Sequence, residues 1–397
     1  MKIAILHPDL GIGGAERLVL DAALAYREDG HDVCIVTNQF SEDHCFADAL
    51  KFKNDITVCA QWFPRSIFGR FYALCAYIRL CIAALFVIFN KDVDVIFMDS
   101  ISLPFVVFWF FSFVTRPQRI FYCHFPDLLL TKRDSVAKKA YRLLVDNLER
   151  WSMSFADKIY VNSKFTKSIC EDTFPALANS TQLNVLYPTL RTDSLDNAKS
   201  VSADIPDKFK YIFLSINRYE IKKNVLLAIQ ALDELRNLVE RPVFDKCVLV
   251  VAGGYDPLNT ENKIYYDLLV AAVEKFELES NVIFLKSPDD DKKVALIKAC
   301  QMLIYTPKFE HFGIVPLEAM YLERCVLAVN AGGPTETVQN NKTGFLCEDT
   351  TTEFAAKMLK VIEEENFIRQ LGLNGRQRVV DEFSFDAFKR HLNSDLL

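Results

Sequence analysis

The eleven cysteines of this 397-residue chain never form Cys-x-x-Cys, and their number is odd. That excludes a zinc-ribbon spacing and a disulfide framework, and leaves reduced thiols packed as small hydrophobes. Surplus positive charge is missing too: 46 Lys and Arg stand against 52 Asp and Glu, a net charge of −6. No overall basic balance therefore points to nucleic acid. There is no repeat at a solenoid period and no low-complexity tract. The opening Met-Lys-Ile-Ala-Ile-Leu-His-Pro is apolar but too short for a secretory signal. The bulk of the protein is accordingly expected to face the cytosol, with the sequons at Asn179 and Asn341 unused. What is present is apolar mass. Hydrophobic residues make up 51% of the chain and charged residues 25%, enough to offset chain entropy in a folded protein of two domains.

Short β-rich apolar runs alternate with helical periodicities along the whole length. Strands are expected at 2–7, 32–37, 56–60, 93–98, 119–124, 158–163 and 184–187, then at 211–217, 246–252, 282–286, 302–306, 326–330 and 344–347. Such alternation argues for parallel sheets covered on both faces, here two doubly wound α/β domains. The polar stretch 191–207 lacks apolar periodicity and reads as a linker. It divides an N-terminal domain over 1–190 from a C-terminal domain over 208–380. A last helix over 381–397 is expected to pack back toward the N-terminal domain. A cleft between two such domains is the natural small-molecule site, because strand C-terminal ends face it.

Charge is uneven. Residues 60–142 hold 11 Lys or Arg against 5 Asp or Glu, a local +6. The same region is apolar: Phe71–Phe89 is interrupted only by Arg79, and Ile101–Thr115 is uncharged. This combination suggests contact with an anionic membrane surface by segments near 67–115. Arg79 lies midway in a stretch that approaches the ~20 residues of a membrane span. Helices lying partly buried in the interface are the favoured arrangement; the alternative is a pair of buried crossover helices.

Four motifs carry chemistry. Gly11-Ile12-Gly13-Gly14-Ala15-Glu16-Arg17 joins a strand to a helix, where the amides of Gly13 and Gly14 can approach a phosphate. The spacing is not Gly-x-Gly-x-x-Gly, and the second strand ends Thr37-Asn38 without an acid for a ribose 2′-hydroxyl. Both facts count against a nicotinamide enzyme. Glu310-His311-Phe312-Gly313-Ile314-Val315-Pro316-Leu317-Glu318 follows a strand, with Pro316 suited to helix position N1. Amides at Gly313 and Ile314 would meet a phosphate or sugar oxygen, and Glu310 and Glu318 would bind hydroxyls at opposite ends of a nucleotide sugar. Simple helix capping is the plainer reading of these acids. In Asn217-Arg218-Tyr219-Glu220-Ile221-Lys222-Lys223-Asn224, Arg218 and Lys223 form a candidate diphosphate clamp, since cations at a helix start oppose its dipole unless an anion binds. His124 ends a strand and could bond a sugar hydroxyl, or be a core histidine satisfied by backbone. Asp289-Asp290-Asp291 contains Asp-x-Asp but precedes an amphipathic helix, so capping explains it and no metal site is expected.

Together these residues resemble the retaining GT-B glycosyltransferases of family 4. The segments His7–Arg17, Tyr122–Asp134 and Glu310–Glu318 are similar to those of mannosyltransferases that build dolichol-linked oligosaccharides, and the likeness runs from His7 to about Phe388. The resemblance implies a GT-B fold, two Rossmann-like domains facing a cleft. It implies transfer of mannose from GDP-mannose to Man1GlcNAc2-diphosphodolichol in alpha-1,3 linkage. An alpha-1,6 addition to the Man2 product would follow, at the cytosolic face of the endoplasmic reticulum membrane. It further implies association with other early mannosyltransferases of that route, and no cofactor. Arg218 and Lys223 would then neutralise the leaving diphosphate with help from the Gly13 and Gly14 amides. Glu310 would orient the mannose, Glu318 hold the ribose, and His124 contact the sugar near its anomeric carbon. Lys132, Arg133, Lys138, Lys139 and Arg142 would meet the lipid diphosphate or headgroups. Because the chain starts at its first strand and stops at Leu397, no anchoring segment outside the catalytic core is expected. Two other readings are a relative using UDP-GlcNAc and a non-catalytic membrane scaffold; the intact charged set argues against the second.

Overall fold

The structure, a computed structural model, describes residues 1–67, 69–130, 136–175, 183–394 and 396. It divides into two units, one comprising Met1–Thr189 with Phe385–Leu397 and the other Leu190–Ser384.

The first unit is built on seven parallel strands: β1 (Lys2–His7), β2 (Asp32–Thr37), β3 (Ile56–Val58), β4 (Val95–Asp99), β5 (Gln118–Cys123), β6 (Lys158–Val161) and β7 (Leu183–Val185). Their order is β3-β2-β1-β4-β5-β6-β7. The period of two along a strand sorts the side chains of β1. Ile3 and Ile5 pack with Leu18, Leu20 and Ala22 of the helix Gly14–Glu28, while Ala4 and Leu6 pack with Ala83, Ala84 and Val87 of the helix Tyr72–Asn90. The helix Tyr72–Asn90 is therefore a crossover helix laid on β1 and β2. It has a mean hydropathy of 2.2 over its most apolar window, of which 44% is buried. Its outward Tyr72 and Phe89 are exposed, as are Trp109, Phe110 and Phe113 in and just after the neighbouring helix Pro104–Phe110.

The C-terminal helix Phe385–Asn393 belongs to this unit. Phe388 and Leu392 enter the same core as Leu18 and Tyr26, and Lys389 Nζ lies 2.9 Å from Glu28. Residues 381–383, read as part of that helix, instead end a π-turn, Val379–Phe383, in the second unit.

The second unit holds six parallel strands: β8 (Tyr211–Ile216), β9 (Cys247–Gly253), β10 (Val282–Lys286), β11 (Met302–Tyr305), β12 (Cys325–Val329) and β13 (Gly344–Cys347). Their order, β10-β9-β8-β11-β12-β13, repeats the winding of the first sheet. Strand β9 is buried at every position, which accounts for its unbroken run of apolar residues. All thirteen strands fall where the sequence pattern places them, within two residues at each end. The stretch 191–207 is not free of structure. Leu195 is buried, the Tyr321 hydroxyl donates to Asp196 at 2.8 Å, and the Lys199 amide donates to Asp291 at 2.9 Å. Its anchors are polar, so it shows no apolar period.

In each sheet the winding reverses between two adjacent strands, β1 and β4 in one and β8 and β11 in the other. Ligands of such sheets bind beyond the carboxyl ends of those strands. The candidate residues gather at these two places.

Candidate active site

In the second unit, β8 delivers the segment 217–224 and β11 the segment 306–313. A tight approach holds the first segment. Gly253 has φ +154°, and a Cβ there would stand 1.8 Å from the Asn217 carbonyl oxygen. Only glycine allows β9 to end so close to the turn. The two segments are tied by the Thr306 hydroxyl, which donates to the Lys223 carbonyl at 2.7 Å. Lys223 then reaches Glu310, with Nζ 2.5 Å from Oε2. Lys223 is 12% exposed in its side chain, whereas Arg218 is 64% exposed, its Nη1 3.1 Å from Glu220. Lys222 also sits on Glu220, at 3.2 Å. Arg218, Lys222 and Lys223 thus face two acids, Glu220 and Glu310, which leaves one positive charge over and a guanidinium turned to solvent. The cations do not converge on a single point.

Gly313, with φ +84°, caps the helix Ile314–Tyr321. Pro316 accordingly occupies N3 rather than N1. The Gly333 amide donates to the Glu310 carbonyl at 2.8 Å and fixes the loop that carries the acid. Glu318, on the second turn, is largely covered and bound by Lys293, whose Nζ lies 2.6 Å from its carboxylate. Burial lifts the Glu318 carboxyl above its usual range and Lys293 opposes this. Lys293 comes from the helix Asp290–Ala299, whose N-cap Asp289 accepts the Lys292 amide at 2.7 Å. The Asp-x-Asp segment is therefore engaged in capping, as its position before a helix suggests. Among the described residues no group of His, Cys, Asp and Glu is arranged to hold a metal.

In the first unit, Gly13 is the N-cap of the helix Gly14–Glu28, with extended backbone, and a Cβ there would meet the Glu16 carboxylate. Strand β1 ends at His7, β4 at Asp99, and His124 follows β5. The three form one cluster. Asp99 is fully buried; His7 Nδ1 donates to its Oδ1 at 2.6 Å and His124 Nε2 to its Oδ2 at 3.1 Å. Burial opposes a charge on His7, but Asp99 and then Glu16, 3.9 Å from Nε2, outweigh it and lift the imidazole to about 10. Burial likewise opposes ionisation of Asp99, and the two histidines hold it well below the usual carboxylate range. His124 Nε2 is thus committed to Asp99, while its ring stays partly exposed. His7, Asp99 and Lys293 were not singled out from sequence. A polar residue closing the apolar strand on either side of the reversal is the signal that would have found the first two.

Of the surface cations, Lys132 and Arg133 lie outside the described residues. Lys138 falls on the helix Val136–Met153, and Lys139 on the same helix is exposed. Arg142 corrects the expectation. It is buried, with Nη2 2.7 Å from Asp146, and is not available to a membrane surface. Helical spacing of four brings these two charges together on the inward face.

Comparison with known proteins supplies independent findings. A family model described as Glycosyltransferase Family 4 matches residues 12–192, and one described as Glycosyl transferases group 1 matches residues 199–378. The curated "Alpha-1,3/1,6-mannosyltransferase ALG2" of Mus musculus is 44% identical over 98% of this chain and 94% of its own length. The protein of that name from Saccharomyces cerevisiae is 36% identical over 99% of this chain and 84% of its own. Among solved structures, sucrose-phosphate synthase from Thermosynechococcus elongatus superposes with a TM-score of 0.71 at 18% identity, over 99% of this chain and 97% of the other. Anabaena Alr3699/HepE in complex with UDP gives 0.70 at 20% identity, over 100% and 99%. Likeness at such identity concerns the fold alone.

Proposed function

Because the chain belongs to the alpha-1,3/1,6-mannosyltransferase family and has the GT-B fold, we propose that its donor is GDP-mannose and that it transfers with retention. The acceptor in this reading is a Man1GlcNAc2 glycan on diphosphodolichol, extended first in alpha-1,3 and then in alpha-1,6 linkage. The work takes place on the cytosolic face of the endoplasmic reticulum membrane. The observation that supports it most is the Lys223–Glu310 pair, held beside the N-terminus of the helix Ile314–Tyr321 at the strand reversal of the second unit.

The chemistry follows from those groups. Lys223 and the exposed Arg218 take up the charge that grows on the leaving diphosphate, and the amides of Gly313 and Ile314 add dipoles already oriented. Preorganised charge lowers the barrier because nothing has to reorient as the glycosidic bond breaks. Glu310, steered by Lys223, orients the mannose hydroxyls. Glu318 is reserved for the ribose, for which it must exchange Lys293. The bond from the anomeric carbon to the diphosphate breaks, a bond to the acceptor hydroxyl forms on the same face, and the hydroxyl proton leaves with the diphosphate. In the first unit, His124 and the amides of Gly13 and Gly14 at its own strand reversal are the groups offered to a sugar or phosphate. The exposed aromatic side chains around Phe89 and Trp109 seat the first unit on lipid.

The test is incubation with GDP-mannose and a lipid-linked Man1GlcNAc2 acceptor, followed by linkage analysis. Arg218→Ala and Lys223→Ala should each abolish transfer while remaining folded. Wild-type turnover by either folded variant would remove the clamp. A thermal-shift series in which UDP, not GDP, stabilises the chain would replace the donor.

A further inference from the structure

Arg79 is the one charged residue on the long apolar helix Tyr72–Asn90. An arginine there needs a reason, since burying its charge is costly unless the charge is matched. The structure shows a partial match. Arg79 is 8% exposed; its Nη2 donates to the Asn38 carbonyl at 2.7 Å and its Nε to the Ala60 carbonyl at 3.3 Å. Asn38 in turn donates to the Arg79 carbonyl at 3.1 Å and to that of Cys59 at 3.2 Å. Carbonyls satisfy donors but do not neutralise a formal charge. No carboxylate among the described residues lies within ion-pair distance of Arg79. Burial pushes the guanidinium pKa down and the nearby Arg65 adds to the effect, while Asp9, beyond ion-pair distance, offsets it only in part.

The same groups line a cavity of about 370 Å³, walled by Asn38, Gln39, Gln61, Phe63, Arg65 and Arg79. Arg65 lines it from the opposite strand-end loop and is shared with Asp9, its Nη2 2.5 Å from Oδ2. Two guanidinium groups against one carboxylate leave the cavity positive. A planar guanidinium fork matches phosphate oxygens in geometry as well as sign. The cavity lies where β2 and β3 end, at the carboxyl end of the sheet, the end at which β1 presents His7 and β5 leads to His124.

We propose that this cavity is an anion subsite that takes a phosphate of the acceptor's diphosphate, with Arg79 as its fixed floor and Arg65 as its movable wall. Arg65 exchanges Asp9 for the ligand, which gives Arg79 an anion in direct contact where it has only the more distant Asp9. This reading deepens the proposed function, since it assumes an acceptor joined to its lipid through diphosphate.

Two measurements separate the site from that assumption. The first needs no transfer. Inorganic pyrophosphate is titrated calorimetrically into the wild type and into Arg218→Ala/Lys223→Ala, where the donor clamp is absent. One binding event should survive in the double variant and vanish when Arg65→Gln is added. Loss of all binding in the clamp variant would overturn the subsite whatever the enzyme transfers. The second compares a diphosphate-linked acceptor with the free oligosaccharide. Wild type should prefer the linked form, and Arg65→Gln should raise its KM by about tenfold, the effect of one lost charge-assisted hydrogen bond. The KM for GDP-mannose should not move. A donor KM that rises instead, or an undiminished preference for the linked acceptor, would refute the assignment. Arg79→Met is the stronger perturbation. If it fails to fold, the exposed Arg65 still decides the question.

Discussion

Replacing His7 by Gln tests the buried cluster at the strand reversal of the first unit. In the wild type the His7 imidazole is held protonated to about pH 10, against an ordinary 6.5, because Asp99 and Glu16 outweigh the cost of its burial. A group whose pKa is raised on folding contributes stability that is complete below its unfolded value. That contribution is lost as pH climbs through the folded one. At about 1.4 kcal/mol per pH unit, the interval from 6.5 to 10 corresponds to an upper bound of about 5 kcal/mol. Removal of one partner from a buried ion pair costs about 3–5 kcal/mol by a separate line of reasoning, so the two figures agree. His7→Gln leaves Asp99 buried with His124 as its remaining partner from the pair. Urea unfolding of both proteins from pH 7 to pH 10 should show the gap between them narrowing by about 3 kcal/mol, because over that range the folded wild type holds a proton that its unfolded chain has already lost. Groups outside this cluster titrate alike in both proteins and cancel in the difference. A gap of constant size would mean that His7 is neutral in the folded protein, and the charge assignment of the cluster would fail.

Three further outcomes are expected. Lys223→Met should cut transfer by at least about 100-fold, and Lys223→Met/Glu310→Gln should be no worse than the single change, since the two act as one pair. Strictly additive losses in steady-state kinetics would show independent roles. Gly253→Ala forces a Cβ to within 1.8 Å of the Asn217 carbonyl, and should cost more than about 3 kcal/mol by denaturant unfolding; an unchanged midpoint would refute the close approach. Leu392→Ala empties a fully buried site on the C-terminal helix and should cost about 2–5 kcal/mol. Lys389→Ala, which breaks the lateral pair with Glu28, should cost less than about 1 kcal/mol. Equal effects of the two in chemical denaturation would mean that charge, not burial, holds the helix.

The architecture was legible in the sequence because a parallel strand buried on both faces must be largely apolar, and Cys247–Gly253 or the run from Val95 to Met98 can hardly read otherwise. Glycine and charge at strand ends also marked the candidate residues, since Arg218, Lys223, Glu310 and His124 stand just beyond β8, β11 and β5. Partnership was not legible. Residues 92 positions apart in the chain, His7 and Asp99, meet only because β1 and β4 are neighbours in the sheet. Arg142 looked like a surface cation and is buried on Asp146, because the pattern of a helix tells its period but not which side the core lies on. Arg79 looked like a break in an apolar run and proves to be the floor of a polar cavity. The sequence alone determined the elements, their winding and the kinds of group at the strand ends, for these follow from local period and composition. Which charges meet, which are buried and which remain uncompensated was decided by tertiary packing, for an electrostatic partner is a matter of distance in space and burial, and neither is a local property of the chain.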